Sequence, residues 1–144
     1  MNIKTALKHK KKLATKINEE YSKMNRYNSV EVGTNRVYSA RESMNKWMEL
    51  TNELIELKTK IHLANAKVYD KIFRMSELKS QLSNLKGLDC HEGKYSNRYG
   101  MTESVIIKQA EIGQLEKDQM IAQMESEIEV IQEELDAHNA TTTI

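Results

Sequence analysis

The sequence predicts a mainly α protein: an antiparallel helical bundle or coiled coil with a small β-hairpin or three-stranded antiparallel sheet at one end. Proline is absent and 30% of residues are charged, which suits long uninterrupted helices. Apolar residues recur at helical spacing over most of the chain. Two short segments are instead rich in β-branched residues. A chain of 144 residues is enough for one domain with one core, so a single helical domain over residues 1–144 is expected.

The clearest helix covers about residues 40–65. Its apolar positions alternate three and four apart, which is typical of a helix face that packs against other helices. These positions are Trp47, Leu50, Leu54, Leu57, Ile61, Ala64 and Val68. Ser39 and Glu42 have the spacing of a capping box at the start of the helix. We expect the first five apolar positions to form the core or an interface.

Three further helices are predicted, at about residues 2–25, 67–86 and 110–138. Asn2 is a candidate N-cap for the first, and Gly87 follows the last apolar position of the next. In the last helix Ile128, Ile131 and Leu135 share one face, and we expect them in the core or an interface. The C-terminal tail is expected to pack back onto the body or onto a neighbour.

Two segments carry strand signals. In residues 29–38 Val30 and Val32 alternate with polar residues, and Gly33 supplies turn chemistry, so a β-hairpin is predicted there. An isolated hairpin is marginal in water. Residues 103–108 are therefore the candidate third strand. The alternative is that the last helix begins earlier, with Thr102 as its N-cap.

The near-neutral chain, with a net charge of +1, has its charges unevenly distributed. The first helix is basic, through Lys4, Lys8, Lys10, Lys11, Lys12 and Lys16. The last is acidic, through Glu111, Glu116, Asp118, Glu125, Glu127, Glu129, Glu133, Glu134 and Asp136. The basic end could bind nucleic acid or a membrane surface. We favour a pairing of the two helices, within one chain or between copies, because the complementary partner lies in the same sequence.

Residues 88–100 form the main predicted loop and hold the only cluster of chemically capable side chains. Cys90 and His91 are the weak candidates for a metal site, but neighbouring residues do not easily reach one ion, so no metal site is expected. No catalytic residue, no cofactor and no enzyme activity are expected. His62, beside the main apolar face, is interpreted as a bystander or a satisfied interface group and not as a metal ligand. A single cysteine and the lack of a secretory signal indicate the cytoplasm.

The order of features resembles the septicolysin-like family of small bacterial and phage-associated proteins. Three stretches carry the resemblance: Glu53-Leu54-Ile55 with Lys60-Ile61-His62-Leu63-Ala64-Asn65; Tyr95-Ser96-Asn97-Arg98 before Val105-Ile106-Ile107; and Ile131-Gln132-Glu133 through Asn139-Ala140-Thr141-Thr142-Thr143-Ile144. The chain departs from the family at His62, where asparagine is usual, and at Ala140, where tryptophan is usual. The resemblance implies a mostly helical, self-associating fold and carries over no catalytic residue.

We therefore expect a structural or interaction protein that assembles through its amphipathic helices into a homo-oligomer. It would serve, with other proteins, in a larger assembly such as a phage virion, and its location would then be the virion. One alternative is an accessory protein that binds nucleic acid through the basic patch from Lys8 to Lys12. Another is a membrane-active protein, as the family name suggests. The sequence disfavours both partners, because the patch lacks interleaved aromatic residues and the apolar face of the first helix is modest.

Overall fold

The chain is mainly helical, with a small antiparallel sheet. A computed structural model describes residues 1–99 and 102–144. The described elements are α1 (Ile3–Asn28), α2 (Ala40–Ala64), α3 (Tyr69–Lys86), β1 (Gly93–Tyr99), β2 (Thr102–Lys108) and α4 (Gln114–Thr141). They fall into two compact units, one of residues 1–69 with 136–144 and one of residues 70–135. Gly100 and Met101, at the end of the predicted loop, lie outside the described residues.

The two N-terminal helices begin where their capping residues predict. The Asn2 side chain accepts a hydrogen bond from the Thr5 backbone N–H at 2.9 Å. The Ser39 hydroxyl accepts one from the Glu42 N–H at 3.2 Å. Each bond satisfies a donor that the first helical turn leaves without an intrahelical partner, which typically stabilises a helix by about 1 kcal/mol.

Antiparallel packing of α1 against α2 forms the core of the first unit. Ala6 and Leu13 of α1 meet Leu57 and Ile61 of α2 in one buried cluster. Around it pack the half-buried side chains Leu7, Leu50, Leu54 and Ile144. Complete burial of a side chain such as Leu13, which is 1% exposed, stabilises a fold by about 1.5–3 kcal/mol. The predicted apolar face of α2 is thus the one that packs within the chain.

The predicted β-hairpin at residues 29–38 is wrong, since this segment is irregular and contains one turn. The Thr34 N–H donates to the Glu31 carbonyl at 3.1 Å, and Gly33 has the positive φ of 88° that the turn requires. The Arg36 side chain donates to the carbonyls of Tyr27 at 3.0 Å and Asn28 at 3.2 Å.

These bonds satisfy carbonyls that the last turn of α1 leaves open, so the segment serves as a helix cap. Val30 is half-buried and Val32 is fully exposed, so the alternation that indicated a strand faces no core.

In the second unit α3 runs antiparallel to α4, and ion pairs join their exposed sides. Three pairs join the helices: Lys71 with Glu134 at 2.9 Å, Arg74 Nε with Glu127 at 2.6 Å, and Lys86 with Glu125 at 3.4 Å. The Lys117 ammonium also donates to the Leu88 carbonyl at 2.9 Å. Leu78, Ile131 and Leu135 are the buried apolar residues described in this unit.

The sheet lies between α3 and α4 in the sequence. β1 and β2 pair antiparallel, from Gly93 opposite Lys108 to Tyr99 opposite Thr102. The expected strand at residues 103–108 is confirmed, and the alternative of a helix starting at Thr102 is wrong. Its partner comes from the predicted loop and not from residues 29–38, so the sheet has two strands, not three.

The C-terminal tail packs back onto the N-terminus of the same chain. This is one of the two predicted alternatives, the other being packing onto a neighbour. Asn2 and Thr143 form an antiparallel bridge. On either side of it the Ile3 N–H donates to the Thr142 carbonyl at 3.1 Å, and the Ile144 N–H donates to the Met1 carbonyl at 3.0 Å. Ile144 then contacts the core cluster of the first unit. Both chain ends are therefore tied into one structural unit.

Candidate functional site

The predicted interface and core residues divide into buried and half-buried positions. Leu57 and Ile61 are buried in the first unit, and Ile131 and Leu135 are buried in the second. The half-buried positions are Trp47, Leu50, Leu54 and Ile128. The Trp47 ring lies 6.0 Å from the Tyr21 ring, measured between centroids, in a tilted arrangement. These residues follow one face of each helix and form packing surfaces.

A second face of α2, which the sequence analysis missed, carries large exposed apolar side chains. Met48, Ile55 and Leu63 are 54%, 56% and 67% exposed. They are seven and eight residues apart, about two helical turns each, so they follow one side of the helix. That side is turned away from Leu57 and Ile61. The periodicity of the more strongly apolar face concealed this second stripe.

The β-hairpin formed by β1 and β2 carries further exposed apolar residues. Val105 and Ile107, which point to one face of β2, are 66% and 70% exposed, and Ile106 on the other face is 37% exposed. Phe73 of α3 and Leu115 of α4 are 63% and 73% exposed. Scattered exposed apolar residues are ordinary on a monomer, but three consecutive ones in a two-stranded sheet are not.

The Cys90–His91 segment is an ordinary capped loop. The His91 backbone N–H donates to Asp89 Oδ1 at 3.0 Å, and the His91 ring also contacts that carboxylate through Nδ1. The backbone bond first, and then the ring bond, hold the pKa of the Asp89 carboxyl below its ordinary value of 3.8. Cys90 is half-buried and forms no disulfide. In the part of the chain that the structure describes, no three His, Cys, Asp or Glu side chains converge on a point that could hold a metal ion.

The basic patch from Lys8 to Lys12 does not form one surface. His9 is directed towards α2, where its Nε2 lies 3.0 Å from Glu53 Oε1. Lys10 is half-buried, whereas Lys8, Lys11 and Lys12 are exposed. His9 and Glu53 line a cleft of about 210 Å³ with both chain ends, Met1 and Ile144. The helical period therefore separates the five residues of the sequence run, and only three lysines remain on the outer side of α1.

The other two histidines, His62 and His138, make local contacts. The His62 ring lies against Tyr69, with 5.1 Å between ring centroids, and its Nδ1 contacts the Tyr69 hydroxyl. His138, in the first unit, lies between Asn65 at 3.2 Å and Thr142 at 3.1 Å. Both arrangements tie helix ends to neighbouring segments. Among residues 1–99 and 102–144, no helix has an apolar stretch long enough to cross a lipid bilayer.

Comparison with models of known protein families, with curated proteins and with solved structures finds no match. The resemblance to the septicolysin-like family therefore stays a prediction. The surfaces that remain for a functional argument are the outer face of α2 and the β-hairpin, because both expose apolar side chains that water solvates poorly.

Proposed function

We propose that the protein is a structural or interaction protein that self-assembles through its amphipathic helices into a homo-oligomeric bundle. Its setting would be a larger assembly, such as a phage virion. The observation that carries this proposal is the exposed apolar face of α2, Met48, Ile55 and Leu63, on a helix whose other face already packs in the chain. A helix with two apolar faces needs two neighbours.

The total surface supports the same proposal. The chain exposes 11274 Å², whereas a folded monomer of its mass exposes about 7,600 Å². If the chain is treated as two separate folded bodies, each of half its mass, the expected accessible surface rises only to about 9,200 Å². An excess of roughly 2,000 Å² remains, which is within the range that one chain contributes to a large obligate interface.

The stripe on α2 is suited to a second copy of itself. In an antiparallel pair of α2 helices, Met48 of one chain lies opposite Leu63 of the other, and Ile55 lies near its own counterpart. The apolar positions therefore match under a two-fold axis, which is the commonest symmetry of soluble oligomers. Burying these side chains on both copies would contribute several kcal/mol, at about 25 cal/mol per Å² of apolar surface.

The test is to place a polar amide in the stripe with Ile55→Asn. Val37→Asn is the matched control, because Val37 is a β-branched residue of the same unit that is 74% exposed and outside the stripe. We expect Ile55→Asn to weaken association at least tenfold in sedimentation equilibrium, and Val37→Asn to leave it unchanged. Far-ultraviolet circular dichroism would verify that both variants keep their helices.

A wild-type chain that sediments as a monomer throughout the micromolar range would contradict the proposed function. An oligomer that neither substitution weakens would keep self-assembly and reject the α2 stripe as its interface.

A further inference from the structure

The β-hairpin has an unusual position in this fold. Its two strands form the whole of the described sheet, so each strand has one edge without a neighbouring strand among the described residues. A two-stranded hairpin is marginally stable in water, and an apolar edge strand readily pairs with another chain. The three central apolar residues of β2 are all solvent-accessible, at 66%, 37% and 70% for Val105, Ile106 and Ile107.

The centres of the two strands differ in apolar content. β1 contains two cations within seven residues, Lys94 and Arg98. Charged residues, lysine above all, are what proteins use to keep an edge strand from pairing. β2 also carries two charged residues, Glu103 and Lys108, but they stand near its ends and leave Ser104 to Ile107 uncharged. Of the two strands, β2 has the more apolar centre, Val105-Ile106-Ile107, so its edge is the better suited to pairing with a further strand.

We propose that β2 pairs with β2 of a second copy, antiparallel about a two-fold axis at Ile106, so that two hairpins form one four-stranded sheet. This inference rests on the proposed self-assembly and adds a second interface to it. The partner is a second copy of the same strand because β2 is complementary to itself. About Ile106, each of its three central apolar residues lies opposite an apolar residue of the second copy.

The register follows from the sequence of β2. Residues opposite each other in an antiparallel pair share a face, so a two-fold axis perpendicular to the sheet must pass through a residue position. With the axis at Ile106, Ile106 opposes itself and Val105 opposes Ile107 of the second copy. With the axis at Val105, Ser104 would oppose Ile106, and with the axis at Ile107, Lys108 would oppose Ile106. Only the first register pairs every apolar residue with an apolar residue.

This register makes a geometric prediction that cysteine substitution can measure. Directly opposed Cα atoms in an antiparallel sheet are about 4.5–5.5 Å apart, which suits a disulfide. Position 106 therefore lies within disulfide range of its own copy. Position 105 is offset from its copy by two residues, which places the Cα atoms about 8 Å apart and beyond that range.

The experiment uses the full chain with its native cysteine replaced, Cys90→Ser, and one new cysteine at a time. After mild oxidation, non-reducing electrophoresis should show a disulfide-linked dimer for Ile106→Cys, at several times the yield for Val105→Cys or Ile107→Cys. A mixture of the Val105→Cys and Ile107→Cys chains should link as a heterodimer, because these two positions are opposed. The mixture keeps the test valid even if Ile106→Cys does not fold.

The possible outcomes separate this inference from the proposed function. Equal linking at all three positions would reflect random collision and would overturn the pairing. Linking at position 105 alone would overturn the register. If the wild-type chain assembles in sedimentation and neither Ile106→Cys nor the mixture links, the hairpin pairing is rejected while self-assembly stands.

Discussion

The two compact units differ in how completely they bury their apolar side chains. In residues 1–69 and 136–144, α1 and α2 enclose an apolar cluster centred on Leu13 and Ile61, and both chain ends pack against it. In residues 70–135, Leu78, Ile131 and Leu135 are 6–7% exposed, and ion pairs with exposed side chains also join α3 and α4. Apolar burial stabilises far more than exposed ion pairs do. The first unit, in which Leu13 is only 1% exposed, should therefore lose more stability from a core substitution than the second loses from a broken ion pair.

The largest effect is expected in the core of the first unit. Leu13→Ala should lower the free energy of unfolding by about 2–4 kcal/mol, because it removes a fully buried side chain and leaves a cavity. Val37→Ala is the control, with a side chain that is 74% exposed, and should change stability by less than about 0.5 kcal/mol. Urea denaturation measures both. Equal effects would show that the cluster is not the core.

A smaller effect is expected at the chain terminus. Ile144→Ala should cost about 1–2 kcal/mol, because Ile144 is half-buried against the core cluster. Thr143→Ala keeps the backbone bridge to Asn2 and removes an exposed side chain, so it should be close to neutral. Thermal unfolding followed by circular dichroism gives both values. A neutral Ile144→Ala would mean that the tail is not docked in solution.

Smaller still is the expected contribution of the ion pairs in the second unit. Arg74→Gln breaks the pair with Glu127, in which the arginine side chain is 61% exposed, so the cost should be less than about 1 kcal/mol. The cost should also shrink at high salt, which screens exposed charges. Denaturation at low and high salt tests this. A loss as large as that for Leu13→Ala would break the contrast between the two units.

The smallest effect concerns the loop after α3. The depressed pKa of Asp89 means that its ionised form stabilises the loop at pH values above the ordinary 3.8, and this contribution is lost as the pH falls through the lower, folded-state pKa. His91→Ala removes the ring contact but keeps the backbone N–H bond, which is the larger cause. The pKa of Asp89, measured by NMR titration, should therefore rise only part of the way towards 3.8. A complete return would assign the shift to the ring.

Helices could be predicted well from the sequence, because their periodicity and caps are local. Asn2 and Ser39 mark the starts of α1 and α2, and the expected strand at residues 103–108 is present. The partner of β2 was predicted wrongly. Val30 and Val32 alternate with polar residues as in a strand, so the pattern indicates residues 29–38 as that partner. Arg36 instead satisfies carbonyls at the end of α1, which a reading of hydrophobic pattern does not detect.

The candidate surfaces were harder to predict than the helices. The stronger apolar face of α2 concealed the weaker stripe of Met48, Ile55 and Leu63, since two faces on one helix blur its periodicity. β1 was missed because Lys94, Ser96 and Asn97 are polar residues that are also common in loops. The strand forms because β2, with three β-branched residues in succession, supplies the pairing partner.

The central claim is that apolar surfaces left exposed in one chain are covered by other copies. Sedimentation equilibrium of the wild-type chain over the micromolar range tests it most directly. The account predicts a mass of at least two chains that falls towards one only on dilution. A single-chain mass at every concentration would contradict it.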